Sequence, residues 1–239
     1  MNAVFSRELR SYFVTPMGYI YLAVFWFFAG FYFTGTCLVN TSASLSYVFA
    51  NLFNICLFLI PVLTMRLVSE ERKAKNDQLL LTCPLRLPSL VLGKFLAAYT
   101  IFLTGTAITL AFGIIISFFA HPDWPVIAGN FIGLALLGAA LISIALFISA
   151  HTENQIIAAV GGFAAGLFFL LSDAMVSVIS EPLLKRIFSA LSLQQHYNSF
   201  TLGLLNTVDI VFFLSITAAF LLLTMGSPSA FTAEMTSCS

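Results

Sequence analysis

Six long apolar stretches dominate this 239-residue chain and restrict the folds open to it. Each is close to or longer than the roughly 18–20 apolar residues that an α-helix needs to cross a bilayer. A spanning helix also satisfies its backbone hydrogen bonds internally, as hydrocarbon requires. Hydrophobic residues make up 60% of the chain and charged residues only 8%, which excludes an ordinary water-soluble domain. The sequence therefore predicts an all-α integral membrane protein.

The predicted membrane spans follow from the limits of the apolar stretches. They cover residues 18–39, 47–68, 90–119, 126–150, 156–171 and 208–225. Pro61 is expected to kink the second span near its end. The third span is longer than a bilayer requires, so it should tilt or protrude, and Lys94 in its first turn should extend its amine to water. Residues 1–226 thus form one transmembrane domain, and residues 227–239 form a short polar tail.

An amphipathic helix is predicted ahead of the first span, over residues 4–13. The side chains at helical spacing on its apolar face are Phe5, Leu9, Tyr12 and Phe13. Arg7 and Arg10 lie on the opposite face, as in helices that rest in the bilayer interface with arginines near lipid phosphates. Pro16 should end this helix and turn the chain into the membrane. The alternative is that these residues simply extend the first span.

One dense cluster of charges, at residues 69–88, interrupts the apolar sequence. An ionised side chain in hydrocarbon costs several kcal/mol, so this segment should be a water-exposed loop between the second and third spans. Most Lys and Arg residues lie on the same side of the membrane as this loop, and only Lys185 and Arg186 lie on the other side. The positive-inside rule then places the loop and both termini in the cytoplasm.

The segment between the fifth and sixth spans, residues 172–207, should lie on the outer side of the membrane. Pro182 suits the first turn of a helix. The apolar stripe of this helix comprises Leu183, Leu184, Ile187, Phe188 and Leu191. Lys185 and Arg186 lie opposite the stripe, so the helix should rest on the outer leaflet or dip into it.

Small residues mark the faces by which the fourth and fifth spans should approach their neighbours. They are Gly129, Gly133 and Gly138 on the fourth span and Gly161, Gly162 and Gly166 on the fifth. Packing within one subunit is the favoured interpretation of these faces, and a seam between two copies is the alternative.

The sequence carries no phosphate-binding loop and no metal-ligand motif. His121, His151 and His196 are far apart and near membrane boundaries, where solvated interface residues are expected. Asp173 and Asp209 fall at the ends of spans, whereas ion-coupled carriers place carboxylates in mid-span. Movement of a substrate would therefore need energy from a partner, and the charged loop is where such a partner could act.

Three stretches around the charged loop resemble one family of membrane proteins. Residues 65–73 read M-R-L-V-S-E-E-R-K, residues 78–84 read Q-L-L-L-T-C-P and residues 92–97 read L-G-K-F-L-A. They resemble the cytoplasmic loop of permeases in two-component ABC-type exporters, and most of all the gliding-motility and nitrous-oxide-maturation branch. The likeness extends over residues 3–224, including the N-terminal helix. Residues 75–78, K-N-D-Q, depart from the G-T-x-E that this family usually carries.

The resemblance implies a six-span permease in a dimeric unit, formed with a second copy or with a paralogue. Cytoplasmic ABC ATPase subunits would bind ATP and magnesium, so no cofactor is expected in this chain and the chain itself would not be an enzyme. A coupling helix between the second and third spans would contact the ATPase through Glu70, Glu71, Arg72, Leu79, Leu80 and Leu81. Short outer helices that carry the stripe from Leu183 to Leu191 would form an outer gate.

Such a permease would lie in the bacterial inner (plasma) membrane, in contact with lipid and not with nucleic acid. Two other classes remain open from the residues alone. One is a non-transporting membrane scaffold or sensor whose loop recruits a cytoplasmic partner, and the other is an integral-membrane enzyme. A neighbouring gene for an ATPase with nucleotide-binding motifs would favour the exporter, and a neighbouring kinase gene would favour the scaffold.

Overall fold

The computed structural model describes residues 2–39, 44–65, 87–119, 122–152, 154–178, 192–204 and 206–226. Every element of regular structure in those ranges is helical. The helices are α1 (Asn2–Val14), α2 (Pro16–Phe33), α3 (Ser46–Thr64), α4 (Leu87–Thr106), α5 (Ile108–Ser117), α6 (Trp124–Ala150), α7 (Gln155–Val178), α8 (Leu193–Thr201) and α9 (Thr207–Gly226). A π-helical segment, Thr34–Val39, continues α2.

Six helical segments in the described ranges are long and apolar enough to cross a membrane. They are span 1 (Pro16–Cys37), span 2 (Ser46–Thr64), span 3 (Pro88–Ser117), span 4 (Trp124–Ala150), span 5 (Gln155–Ser172) and span 6 (Thr207–Gly226). The prediction of an all-α integral membrane protein with six spans is therefore confirmed. The predicted limits agree with the observed ones to within a few residues, except that span 2 is described only as far as Met65.

Span 3 differs from its prediction because it is interrupted at Ala107, between α4 and α5. The Trp26 indole N–H of span 1 donates a hydrogen bond to the Gly105 carbonyl at 3.1 Å. The Thr109 hydroxyl donates to the Thr106 carbonyl at 2.7 Å, in the local pattern that competes with helical backbone bonding. Both bonds lie at the junction of α4 and α5, and the two helices together still form one span of 30 residues.

Span 4 lies at the centre of the bundle, in contact with spans 2, 3, 5 and 6 and with α8. About 67% of its most apolar window is buried, against 22% for span 6. Its glycines explain the close packing: a Cβ atom on Gly138 would overlap the Phe102 ring of span 3. A Cβ atom on Gly133 would lie 2.7 Å from Phe200 of α8. The predicted use of span 4 glycines within one subunit is confirmed.

The two short helices lie at opposite ends of the bundle. Helix α1 packs against spans 1 and 3, at the end where span 1 begins. Helix α8 packs against the starts of spans 2, 4 and 6, at the other end. We call these the α1 end and the α8 end. Pro16 separates α1 from span 1 as predicted, because proline is well suited to the first turn of a helix.

Candidate functional sites at the two ends of the bundle

Helix α1 buries a face that is rotated from the predicted one. Val4, Glu8 and Tyr12 are its buried side chains, while Phe13 is 40% exposed. Phe13 belongs to the predicted apolar face, which was expected to rest in the bilayer interface, and its contact with lipid stays a prediction. Arg7 and Arg10 are exposed as predicted. The rotation places an acid, Glu8, against the bundle.

Glu8 contacts a buried lysine at the start of span 3. The Lys94 amine lies 3.6 Å from Glu8 Oε1, and the Arg7 guanidinium lies 2.8 Å from the same oxygen. Lys94 is only 1% exposed, so the expectation that it extends its amine to water was wrong. Gly93 permits this contact, since a Cβ atom there would lie 2.8 Å from Val4 Cγ1. Helix α1 therefore lies directly on span 3, and a buried ion pair joins them.

Helix α1 is also bonded to span 2. The Tyr12 hydroxyl donates a hydrogen bond to the Leu63 carbonyl at 3.0 Å. Leu63 lies one residue before the end of α3, where backbone carbonyls have no donor within the helix. The end of span 2 and the start of span 3 flank residues 66–86, so α1 contacts both helices from which the charged segment extends.

The predicted coupling residues belong to that segment. Glu70, Glu71, Arg72, Leu79, Leu80 and Leu81 all fall within residues 66–86, outside the described ranges. Their contact with a partner therefore stays a prediction.

At the α8 end, a short helix is inserted between the starts of the spans. The Ser192 hydroxyl accepts a hydrogen bond from the Gln195 backbone N–H at 3.0 Å and so caps α8. After α8 the chain turns at Gly203, whose φ of 76° lies in the left-handed region. Glycine suits this turn for a second reason, because a Cβ atom there would lie 2.9 Å from Val126 of span 4.

A histidine–aspartate pair joins α8 to span 6. The distance between His196 Nδ1 and Asp209 Oδ1 is 2.5 Å, and the His196 ring stacks on Phe212 with 4.0 Å between ring centroids. Asp209 is 4% exposed, and its Oδ2 atom has no hydrogen-bond partner among the described residues. The expectation that His196 is a solvated boundary residue was therefore wrong. The pair fixes the position of α8 relative to the first turn of span 6.

A tyrosine also bonds α8 to span 2. The Tyr197 hydroxyl donates to the Phe49 carbonyl at 3.2 Å, and its ring packs on Phe53 with 5.1 Å between centroids. Burial, with a smaller contribution from Cys56, raises the pKa of the Tyr197 phenol well above its ordinary value. The hydroxyl therefore remains a donor at physiological pH. The Ser46 hydroxyl adds a bond to the Thr201 carbonyl at 3.0 Å.

The predicted outer gate precedes α8 in the chain. Leu183, Leu184, Ile187, Phe188 and Leu191 fall within residues 179–191, outside the described ranges. The gate therefore also stays a prediction.

Two pairs of ionisable residues were not predicted from the sequence, although the sequence contains a signal for each pair. Lys94 is a lone cation in an apolar span, and a buried cation requires an anion nearby. Glu8 is the one acid of α1 and lies one helical turn before Tyr12. Asp209 begins an apolar span in the same way, and His196 is the nearest preceding residue that can act as a base, across a glycine turn.

These features define a helical, multi-pass membrane protein with a short helix packed at each end of its bundle. Residues 39–227 match the family model described as ABC-2 family transporter protein. The chain therefore belongs to the ABC-2 family of transporters and is an ABC-type membrane permease subunit, the membrane component and not the catalytic one. This family implies partnership with a cytoplasmic ABC ATPase. No curated protein matches the sequence.

Proposed function

We propose that this permease is driven by a separate ATPase and exports a substrate, or transmits force, across the bacterial inner membrane. The observation that supports this most directly is the position of α1, which contacts span 2 through Leu63 and span 3 through Lys94. A movement imposed on residues 66–86 would reach both spans and α1 together. ATP and magnesium would be bound by the ATPase, and the resemblance favours the gliding-motility and nitrous-oxide-maturation branch.

In this proposal, residues 66–86 contain the coupling helix. Glu70, Glu71 and Arg72 would orient it on the ATPase, and Leu79, Leu80 and Leu81 would become buried on contact. Burial of such leucines stabilises a complex, while the charged residues determine its register. The K-N-D-Q sequence at residues 75–78 would adapt the contact to a particular ATPase.

The α1 end would face the cytoplasm. The residues on that side are Arg7, Arg10, Arg66, Arg72, Lys73, Lys75, Arg86 and Lys94, against Lys185 and Arg186 on the other side. This asymmetry supports cytoplasmic termini under the positive-inside rule. Single cysteines at positions 73 and 185, in a cysteine-free background, test the orientation. In intact cells an impermeant reagent should label position 185 and not position 73, and the reverse pattern would refute the topology.

The transport unit would be a dimer with a second copy or a paralogue. At its outer end, residues 183–191 would close the pathway in the resting state, and α8 would support them from its fixed position between spans 2, 4 and 6. The apolar stripe from Leu183 to Leu191 favours such a burial. Ile187→Asp should therefore raise basal ATP turnover or alter transport, and rates equal to those of the parent would exclude the gate.

Reconstitution with a candidate ABC ATPase, chosen from a neighbouring gene where one is found, tests the whole proposal. The permease should copurify with the ATPase and stimulate ATP turnover in vesicles. The double substitution Glu70→Ala and Glu71→Ala should reduce stimulation by about tenfold or more, as expected for residues at an interface hot spot. Asp123→Ala provides the control, since Asp123 is an exposed acid at the α8 end. A permease that binds no ATPase would instead favour the scaffold.

A further inference from the structure

Span 2 contains a proline close to its junction with the charged segment. Pro61 lies inside α3, four residues after Leu57. Because proline has no backbone N–H, the Leu57 carbonyl lacks its usual helical donor, and the proline ring crowds that carbonyl. Span 2 therefore has a mechanically weak point one turn before its end at Thr64.

Span 5 presents two glycines to this weak point. A Cβ atom on Gly162 would lie 2.7 Å from Pro61 Cβ, and a Cβ atom on Gly166 would lie 3.0 Å from the Leu57 oxygen. Both distances are shorter than ordinary van der Waals contact, so no larger side chain fits there without a shift. The glycines leave a smooth surface against which the proline turn is packed but not interlocked.

A small void adjoins the same contact. It lies among spans 2, 4 and 5, is lined by Leu57, Pro61, Ala145, Gly162 and Gly166 among others, and has room for about one water molecule. Its walls are almost entirely apolar, so the void offers water little hydrogen bonding. Unfilled space beside a helix gives its backbone room to move without expelling another side chain.

The two parts of span 2 are held by different helices. Before the proline, the Phe49 carbonyl is bonded to Tyr197 of α8 at the far end. After it, the Leu63 carbonyl is bonded to Tyr12 of α1. A force on α1 would therefore act on the last turn of span 2, while α8 holds the first part in place.

We propose that Pro61 is a hinge, at which the last turn of span 2 moves with α1 and the coupling segment while the rest of the span stays fixed. The glycine surface of span 5 guides this movement, and the void accommodates it. This inference rests on the proposed function, because the hinge transmits the movement of residues 66–86 into the bundle.

Two substitutions of Pro61 test the hinge. Pro61→Ala supplies an N–H to the Leu57 carbonyl, so it should straighten and stabilise span 2. We expect a higher Tm but ATPase stimulation reduced about five- to tenfold. This reduction corresponds to the shift of the helix toward its straight form that one restored hydrogen bond would produce. Pro61→Gly supplies the same N–H but keeps the helix weak, so it should recover much of the lost stimulation.

A distance measurement tests the hinge without any ATPase. Spin labels at Met65 and at Ile157, an exposed residue at the start of span 5, report the position of the last turn in purified permease. The parent should give a broad distance distribution and Pro61→Ala a narrow one. This measurement separates the hinge from the proposed function, because the distance distribution in purified permease does not depend on stimulation of an ATPase.

Substitutions on span 5 provide the matched comparison. Gly166→Ala should impair ATPase stimulation, because its added methyl would meet the Leu57 carbonyl oxygen at the hinge. Gly161→Ala should not, because its added methyl would meet the Ile148 side chain of span 4 and not span 2. Equal distance distributions in the parent and Pro61→Ala would refute the hinge. A lower Tm for Pro61→Ala, together with equal losses of ATPase stimulation in Pro61→Ala and Pro61→Gly, would also refute it, since Pro61 would then act only in packing.

Discussion

The α1 end and the α8 end use the same construction with different chemistry. At each end a short helix is joined to a span by a buried acid–base pair, and a tyrosine hydroxyl bonds to a carbonyl of span 2. The base is Lys94 at the α1 end and His196 at the α8 end. The Lys94 side chain is only 2% accessible and the His196 side chain is 19% accessible, so water can replace a lost partner more readily at the α8 end. The α1 end should therefore depend more strongly on its pair.

The largest expected effect comes from the acid of the α1 end. Glu8→Leu removes the carboxylate from the buried Lys94 amine, so the permease should lose about 3–5 kcal/mol of stability. Lys94→Met should cost less, because Arg7 remains beside Glu8. The double variant should recover most of the loss of Glu8→Leu. Thermal unfolding in nanodiscs measures all three, and additive losses in the double variant would show that the two residues are not coupled.

Glycine contacts give the next effect, and here the α8 end should be the more sensitive. Gly133→Ala places a methyl 2.7 Å from Phe200 Cβ and Cγ, atoms that rotation of the ring cannot move away. We expect a loss of about 1–3 kcal/mol. Gly93→Ala meets the Val4 side chain, 2.8 Å from Cγ1 and 3.2 Å from Cβ, and a change of the Val4 χ1 rotamer can relieve the closer contact, so its loss should be smaller. Thermal unfolding compares them, and equal losses would contradict this order.

The acid of the α8 end should matter less than Glu8. Asp209→Leu leaves a histidine that is partly exposed, with 19% of its side chain accessible, so water can hydrogen-bond to the imidazole in place of the carboxylate. A loss of about 1–2 kcal/mol is expected, close to that of one charge-assisted hydrogen bond. Unfolding measured beside Glu8→Leu gives the comparison directly. A loss as large as that of Glu8→Leu would show that the two ends do not differ as described.

The smallest effects concern the two tyrosines. Tyr12→Phe leaves the Leu63 carbonyl, near a helix end, without its donor, so a loss of about 1 kcal/mol is expected. Tyr197→Phe should cost only a few tenths of a kcal/mol, since the Phe49 carbonyl lies inside a helix and keeps its backbone partner. Unfolding of the two variants in parallel tests the difference, and a larger loss for Tyr197→Phe would reverse it.

The six spans and the glycine faces could be predicted because both depend on local sequence. Span length is a property of consecutive apolar residues, and a glycine such as Gly138 signals close approach wherever its partner comes from. The ion pair between α1 and span 3 could not be predicted from local sequence. Glu8 and Lys94 are far apart in the chain, and their pairing depends on a rotation of α1 that places Phe13 outside the packed face.

The break in span 3 shows the same limit. Its sequence is continuously apolar, and the interruption at Ala107 arises where the Trp26 indole of span 1 engages the Gly105 carbonyl. Hydropathy and length do not encode such a contact between two spans. The resemblance to ABC-type permeases added what periodicity could not, namely the family, and the match over residues 39–227 confirms that broader assignment.

The central position of span 4 has a consequence for biosynthesis. Span 4 buries Asn130, Ser143 and Ser149 against neighbours that include span 5, α8 and span 6. All three of these neighbours are synthesised after it, so the surfaces of span 4 that contact them face lipid until the last span is inserted. A chain that stalls before span 6 should therefore be a preferred target of membrane proteases, and a complete chain gains its resistance only when its C-terminal helices close around span 4.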